Sequence, residues 1–165
     1  MSESSNVEVG ILMGSDSDWP VMQKSVAALK SLGVGYEARV LSAHRTPDDV
    51  AEYSRTAVTR GLKVIIAGAG MAAHLAGVVA AHTPLPVIAV PIKAKALEGM
   101  DALLAMVMMP PGVPVATVGI DGARNAGILA AQIIATGDES LLARLVTFKE
   151  EMAAAARAKK LPIDD

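Results

Sequence analysis

Residues 64–92 carry no Asp, Glu, Lys or Arg. A stretch this long without a charged residue is either a membrane span or part of a core covered on both sides. The glycines and prolines inside it decide. Gly68, Gly70, Gly77, Pro84, Pro86 and Pro91 cut it into short pieces. In order these read as a strand, a glycine loop, a small-residue helix, a turn and a second strand, which is a βαβ unit. A buried parallel sheet is therefore expected, and no membrane association.

The same alternation runs along the whole chain. Strands are predicted at 7–13, 36–41, 64–67, 87–90 and 115–120. Helices are predicted at 19–32, 47–60, 71–82, 97–107, 123–135 and 139–159. Met22, Val26 and Leu29 fall at i, i+4 and i+7 on the first of these helices. Pro47 stands at an allowed first-turn position of the second. Strands alternating with helices predict an α/β domain, a parallel sheet with helices on both faces. The strands lack polar alternation, as expected when both sheet faces are covered. One domain over residues 1–165 suits the length. Residues 1–6 are short and polar, with no leader pattern, and are expected to be a flexible terminus. Leu141, Leu145, Phe148 and Met152 form one stripe on the final helix. That stripe docks either on its own domain or on a neighbouring subunit.

Composition narrows the function. Apolar residues make up 52% of the 165 residues and charged residues only 19%. A chain this short has much surface to cover, so the apolar surplus points to burial between subunits. The formal net charge is −2, with one Phe, one Trp and two Tyr. Nucleic-acid binding, which needs a basic face and often stacking aromatics, is not expected. There is no cysteine, so thiolate nucleophiles, disulfides and cysteine–zinc sites are excluded. The cytoplasm is compatible with that absence and is the expected location.

Three junctions between a predicted strand and the following helix carry polar or small residues. Ser42-Ala43-His44-Arg45-Thr46-Pro47 sets a histidine beside an arginine at the edge where open α/β sheets bind ligands. Imidazole moves protons near neutral pH, and a guanidinium grips phosphate or carboxylate with paired hydrogen bonds. Gly14-Ser15-Asp16-Ser17-Asp18-Trp19 offers hydroxyls at a helix start, which suits a phosphate. Asp18 can accept hydrogen bonds from ribose hydroxyls. The same residues are also ordinary N-caps. Ala67-Gly68-Ala69-Gly70-Met71-Ala72-Ala73-His74 departs from the dinucleotide fingerprint, because Ala73 takes the place of its third glycine. Its small residues let a flat ring approach, or simply allow tight packing. His82 reads as structural. It should lie about 12 Å along the helix from His74 at the usual rise per residue, which argues against a three-histidine metal site. Lys93 and Lys95 follow the fourth strand and either add positive potential or form an exposed, solvated pair. Met106, Met108 and Met109 line an apolar pocket or fill gaps in the core.

Together these motifs, with Ala72-Ala73-His74-Leu75 and Gly112-Val113-Pro114-Val115-Ala116-Thr117, resemble the PurE family of purine biosynthesis. The resemblance runs over residues 7–143. The Ala-Ala-His-Leu stretch is similar to the bacterial mutase class. The resemblance implies a flavodoxin-like three-layer sandwich with a five-stranded parallel sheet and an extra C-terminal helix reaching a neighbour in an octamer. It implies a ribonucleotide substrate, N5-carboxyaminoimidazole ribonucleotide, whose carboxyl group moves through carbon dioxide to ring carbon 4. No metal or organic cofactor is implied. By the same resemblance Ser15, Ser17, Ser42 and Arg45 hold the phosphate, Asp18 the ribose, and His44 carries the proton. Ala69, Gly70, Met71, His74 and Leu75 border the ring and the carbon dioxide. Many members have glycine where Met71 stands and glutamine where Met108 stands. Direct carboxylation of aminoimidazole ribonucleotide, a paralogue acting on another carboxylated nucleotide, and a non-catalytic nucleotide binder are the alternatives.

Overall fold

Each apolar run becomes a strand and each amphipathic segment a helix. The computed structural model describes residues 7–161; the expectation for residues 1–6 lies outside them. The strands are β1 (Val9–Met13), β2 (Tyr36–Val40), β3 (Val64–Gly70), β4 (Val87–Ile92) and β5 (Ala116–Thr117). The helices are α1 (Trp19–Ser31), α2 (Pro47–Thr56), α3 (Leu75–His82), α4 (Met100–Val107), α5 (Ala123–Ala135) and α6 (Glu139–Arg157). All strand pairs are parallel, in the order β2-β1-β3-β4-β5. This is the flavodoxin-like order, whose direction of winding reverses between β1 and β3. Met13 is in register with both Val40 and Gly68. The chain therefore leaves β1, β2 and β3 at the same sheet edge.

Side-chain alternation in the central strands divides the core in two. Val9, Ile11, Val64, Ile66 and Ile88 pack on one face with Met22 and Leu29 of α1 and Ala126 and Ala130 of α5. Leu12, Ile65, Val87 and Ala89 pack on the other with Val50, Val79 and Met106 from α2, α3 and α4. Gly127 lets α1 and α5 approach closely. A Cβ built there would stand 2.7 Å from the Ser25 carbonyl oxygen and 3.0 Å from Ala28 Cβ. Gly127→Ala should therefore lose roughly 1–3 kcal/mol to overpacking, more than the ~1 kcal/mol that alanine adds to helix propensity. Urea unfolding reads this directly; an unchanged midpoint and slope would show that the helices separate without cost.

Several boundaries differ from expectation. The third helix begins at Leu75 rather than 71, because β3 continues to Gly70 and Met71 has a left-handed φ of 56°. The fourth begins at Met100 rather than 97, because Glu98 and Gly99 have φ of 54° and 90°. Helical φ is negative, so neither helix can extend back through these residues. The second helix ends at Thr56, and a turn carries the chain to Gly61. β5 shrinks to two residues. Beyond them Asp121 turns back, its amide donating to the Pro91 carbonyl.

The edge strand β2 departs from the fully covered pattern: Ala38, Arg39 and Val40 are exposed. Its Glu37 accepts hydrogen bonds from the Tyr53 hydroxyl at 2.7 Å and from Arg60 at 2.5 Å. Burial alone would raise this carboxyl; the bonds from Arg60 and Tyr53 outweigh it and hold Glu37 below the usual carboxylate range.

The stripe on α6 divides. Leu141 and Leu145 are buried in the chain's own core, and Phe148 is half-buried against it. Arg144 fixes the helix by donating from Nε to the Leu32 carbonyl at 2.9 Å. Met152, with Leu142 and Val146, is exposed.

Candidate active site

The edge shared by β1, β2 and β3 opens into a cleft of about 890 Å³. Its position follows from the topology: at the reversal between β1 and β3 the following loops part and leave a crevice. Ser15, Ser17 and Asp18 line it from the loop after β1, and Ser42, His44 and Arg45 from the loop after β2. Ala69, Gly70 and Met71 line it at the end of β3, and Leu75 at the start of α3. Ten of the sequence-derived residues thus meet at one cleft; His74 touches it only through His44.

The loop after β1 is held by its own polar groups. Ser15 N–H donates to Asp18 Oδ2 at 3.1 Å, and Ser17 N–H to Ser15 Oγ at 3.3 Å. This reciprocal cap precedes a short 3₁₀ turn, Asp16–Asp18, and leads into α1, where Pro20 needs no N–H partner. The Ser15 and Ser17 hydroxyl oxygens lie 2.9 Å apart. Ser17 Oγ donates to Ser15 Oγ, and Ser15 Oγ to Asp16 Oδ1 at 3.0 Å; both residues line the cleft, where rotation of the hydroxyls would turn them to an anion.

Arg45 crosses from the second loop to the first. Its Nη2 donates to the Gly14 carbonyl and its Nε to Ser42 Oγ at 3.2 Å. The Ser42 hydroxyl also receives the Arg45 amide at 3.2 Å. The guanidinium is thereby placed beside the serine loop with donors to spare, since it has five. The imidazole of His44 stands next to it in sequence, and its Nε2 lies 2.8 Å from Nδ1 of His74.

Asp18 is an ionisable group of the cleft altered by its place. Burial raises its pKa; the Ser15 amide and the Arg45 charge oppose the rise without cancelling it, and Asp16 adds to it. A carboxyl whose folded pKa is raised contributes stability only while it is protonated, and loses it as pH rises through the folded value. Near neutral pH the ionised Asp18 is therefore a local cost to the ligand-free protein. Asp18→Asn keeps an acceptor for Ser15. It should be at least as stable as the parent in denaturant near pH 7, with the difference shrinking in acid. A loss of stability at neutral pH would show that the charge supports the loop.

Met71 is exposed at the cleft mouth in a left-handed conformation. That conformation costs a residue with a Cβ about 1–2 kcal/mol and glycine almost nothing. A glycine there would be free of that cost. The Met71 side chain is largely exposed, and Ala69 and Gly70 line the cleft beside it.

The fourth wall was legible in the sequence only as the two lysines after the fourth strand. Ile92, Lys93, Ala94, Lys95 and Ala96 follow β4 and line the cleft, as does Asp101 of α4. Lys93 is anchored: its ammonium pairs with Glu98 and its amide donates to Asp121 Oδ1 at 2.9 Å. Lys95 is exposed and lines the cleft, so it adds positive potential there. The available signal was positional, because every loop after a strand of a parallel sheet leaves at the same edge. Met106 is buried in the core while Met108 is exposed, so the methionines do not form a second pocket. His82 lies in the last turn of α3, away from the cleft. Among the described residues there is no group of three or more His, Cys, Asp or Glu placed to hold a metal ion. None of the described helices is long and apolar enough to cross a membrane.

Known proteins match this chain along most of its length. The family model for AIR carboxylase matches residues 8–155. The N5-carboxyaminoimidazole ribonucleotide mutase of Bacillus subtilis is 60% identical over 139 residues, 83% of this chain and 86% of that protein. The protein of the same name from Mycobacterium leprae is 56% identical over 151 residues, 92% of this chain and 88% of its own. The phosphoribosylaminoimidazole carboxylase of Schizosaccharomyces pombe is 57% identical over 144 residues, 87% of this chain but only 26% of that longer protein. The crystal structure of Treponema denticola PurE superimposes with a TM-score of 0.82 at 30% identity, covering 92% of this chain and 98% of that one. A family model spanning the whole sheet, its cleft loops and most of the final helix leaves one conclusion: the chain belongs to the AIR carboxylase family.

Proposed function

We infer that this chain is an N5-carboxyaminoimidazole ribonucleotide mutase of purine biosynthesis, an isomerase. The observation that carries the reading is that one cleft holds both an anion-binding loop, Ser15 to Asp18 with Arg45, and a proton-transfer group, His44. The mutase names of bacterial relatives over half identical support the substrate.

The chemistry divides among the residues present. Ser15, Ser17, Ser42 and Arg45 hold the phosphate through hydroxyl donors and a fixed guanidinium. Asp18 accepts from the ribose hydroxyls, which offsets the cost of its buried charge. Protonated His44 gives its proton to the exocyclic nitrogen as the carbamate C–N bond breaks and carbon dioxide leaves. Ring carbon 4 of the resulting aminoimidazole then attacks the trapped carbon dioxide. Neutral His44 takes the proton displaced from carbon 4. The proton given in the first step is recovered in the second, so the reaction balances as an isomerisation. Holding carbon dioxide beside the ring replaces a bimolecular encounter with a local one. Ala69, Gly70 and Leu75 supply the small apolar wall for it, and Lys95 offers a charge to a developing carboxylate.

A homo-octamer in the cytoplasm accompanies this reading. Leu97, Met100, Leu104 and Met108 around α4, and Val146 and Met152 on α6, are large exposed apolar residues that subunit contacts would cover.

A second reading, direct carboxylation of aminoimidazole ribonucleotide, has the fungal carboxylase as its support. Purified protein supplied with N5-carboxyaminoimidazole ribonucleotide should form the carbon-4 carboxylate. The same protein given aminoimidazole ribonucleotide with low bicarbonate should form little. Product only in the second assay would reverse the assignment, and product in neither would end both readings.

A further inference from the structure

We propose that Lys95 makes the cleft prefer carboxylated nucleotides to their uncarboxylated counterparts. The proposal rests on the reading of this cleft as a carboxyl-moving site, and it starts from its charges. Three lysine and arginine side chains line the cleft: Arg45, Lys93 and Lys95. Arg45 is tied to Gly14 and Ser42 beside the serine loop. The ammonium of Lys93 is taken by Glu98. Lys95 is exposed and, among the described residues, has no salt-bridge partner. Asp101 is the carboxyl on the same wall; no salt bridge joins it to Lys95, and its Oδ1 is buried. A free ammonium therefore stands at the cleft on the side away from the phosphate grip.

The sheet order sets the distance between the two charges. The serine loop leaves β1 and the loop of Lys95 leaves β4, with β3 between them. Neighbouring strands lie about 4.8 Å apart, so the two loops start about 10 Å apart. A nucleotide held by its phosphate at the first loop lays ribose and ring across the end of β3 and turns its far end toward Lys95. Both ends of the lysine loop are fixed. The Lys93 amide donates to Asp121 Oδ1 at 2.9 Å. At the other end Gly99 has φ of 90°, and a Cβ built there would stand 2.7 Å from Ile120 Cγ2. Ala94 and Ala96, on either side of Lys95, also line the cleft and leave room beside its stem.

The ligand that fits two separated cations is an anion at both ends. The carboxylated nucleotides meet this requirement before and after the reaction, with the carboxylate on the exocyclic nitrogen and then on carbon 4. Aminoimidazole ribonucleotide has only the phosphate, and carbon dioxide is uncharged. Lys95 thus adds affinity for substrate and product and little for the intermediate nucleotide, which is a difference of affinities. The charge is present in the bound substrate and fades as carbon dioxide forms. The contribution of Lys95 therefore falls on binding, and proton transfer stays with His44. Lysine suits a carboxylate that moves by one ring position. Its ammonium is a compact charge on a flexible stem, whereas a guanidinium fork matches one geometry.

Calorimetric titration with two nucleotides tests this. 4-Carboxy-5-aminoimidazole ribonucleotide and aminoimidazole ribonucleotide differ only in the carboxylate. Lys95→Met keeps the stem without the charge. It should weaken the carboxylated nucleotide about tenfold, the lower end for a charge-assisted hydrogen bond, because salt screens an exposed ammonium. Aminoimidazole ribonucleotide should bind as it does to the parent, which also shows that the variant is folded. Lys95→Arg should keep most of the preference, and KM for N5-carboxyaminoimidazole ribonucleotide should rise in Lys95→Met alone. Equal weakening of both nucleotides would overturn the proposal and make Lys95 a phosphate contact. An unchanged preference in Lys95→Met, a loss confined to kcat, or a parent protein that binds both nucleotides equally would also overturn it. A parent that prefers the carboxylated nucleotide but converts none of it would overturn the proposed function instead, and the binding ratio would still decide the role of Lys95.

Discussion

His44→Asn should bind nucleotide and fail to turn it over. General acid–base catalysis contributes roughly 10²–10⁴-fold to a step, and this one group serves both halves of the reaction. The loss in kcat should therefore fall at the upper end of that range. Binding should persist because the side chain is not part of the phosphate grip. Arg45 is tied to Gly14 and Ser42, and the serine loop is capped by its own Asp18. None of those bonds passes through His44. The asparagine amide can still reach His74, so the loop should keep its shape, and His44 is exposed, so unfolding is not expected to confuse the result. Calorimetric titration with substrate or product gives the affinity, and a product assay gives the rate. Turnover within a few-fold of the parent would remove His44 from the chemistry. Loss of binding together with loss of turnover would make it a contact residue instead of a proton carrier.

The ease of reading this site from sequence varied from loop to loop, for physical reasons. Apolar runs without charge over 64–92 announced β3 and β4, because a strand covered on both faces has no polar side to display. The edge strand β2 was harder. Its Glu37 and Arg39 alternate with apolar residues, a departure from the other strands that the expectation of covered faces passed over, and the sheet order shows it at the edge. The hexapeptide from Ser42 to Pro47 stood out because proton-transfer and anion-binding side chains sit together at a strand end. Lys95 and Asp101 stood out less, because lone charged residues look like solvent-facing ones until the cleft forms around them. Left-handed backbone at Met71 and Glu98 moved helix starts that hydrophobic periodicity placed too early. Those conformations sit on non-glycine residues, where composition gives no cue. The approach of His74 to His44 is a long-range fact, joining a loop after β2 to the cap of α3. No local pattern encodes it.

Replacing Arg45 tests the anion grip separately from proton transfer. Arg45→Ala should raise KM for the nucleotide by roughly 10–100-fold, since a charge-assisted hydrogen bond contributes about 1.5–3 kcal/mol and each 1.4 kcal/mol is tenfold. The effect should fall mainly on KM, because the phosphate keeps its contacts from the bound state into the transition state. Arg45→Lys should recover only part of it. An ammonium restores the charge, but it cannot reproduce the planar fork that bonds Gly14 and Ser42 while still facing a phosphate. Salt gives a second readout. The parent KM should rise with ionic strength as the guanidinium is screened, and that dependence should flatten in Arg45→Ala. The substitution also reaches Asp18. Arg45 is one of the influences that oppose the rise in its pKa, so removing the guanidinium should raise it further and leave more of the carboxyl protonated. Ribose contacts would then weaken along with the phosphate grip, and the Ala variant should be more sensitive to mild acid than the parent. A KM unchanged in Arg45→Ala, or a loss seen only in kcat, would move the phosphate away from this loop and toward Lys95 on the opposite wall.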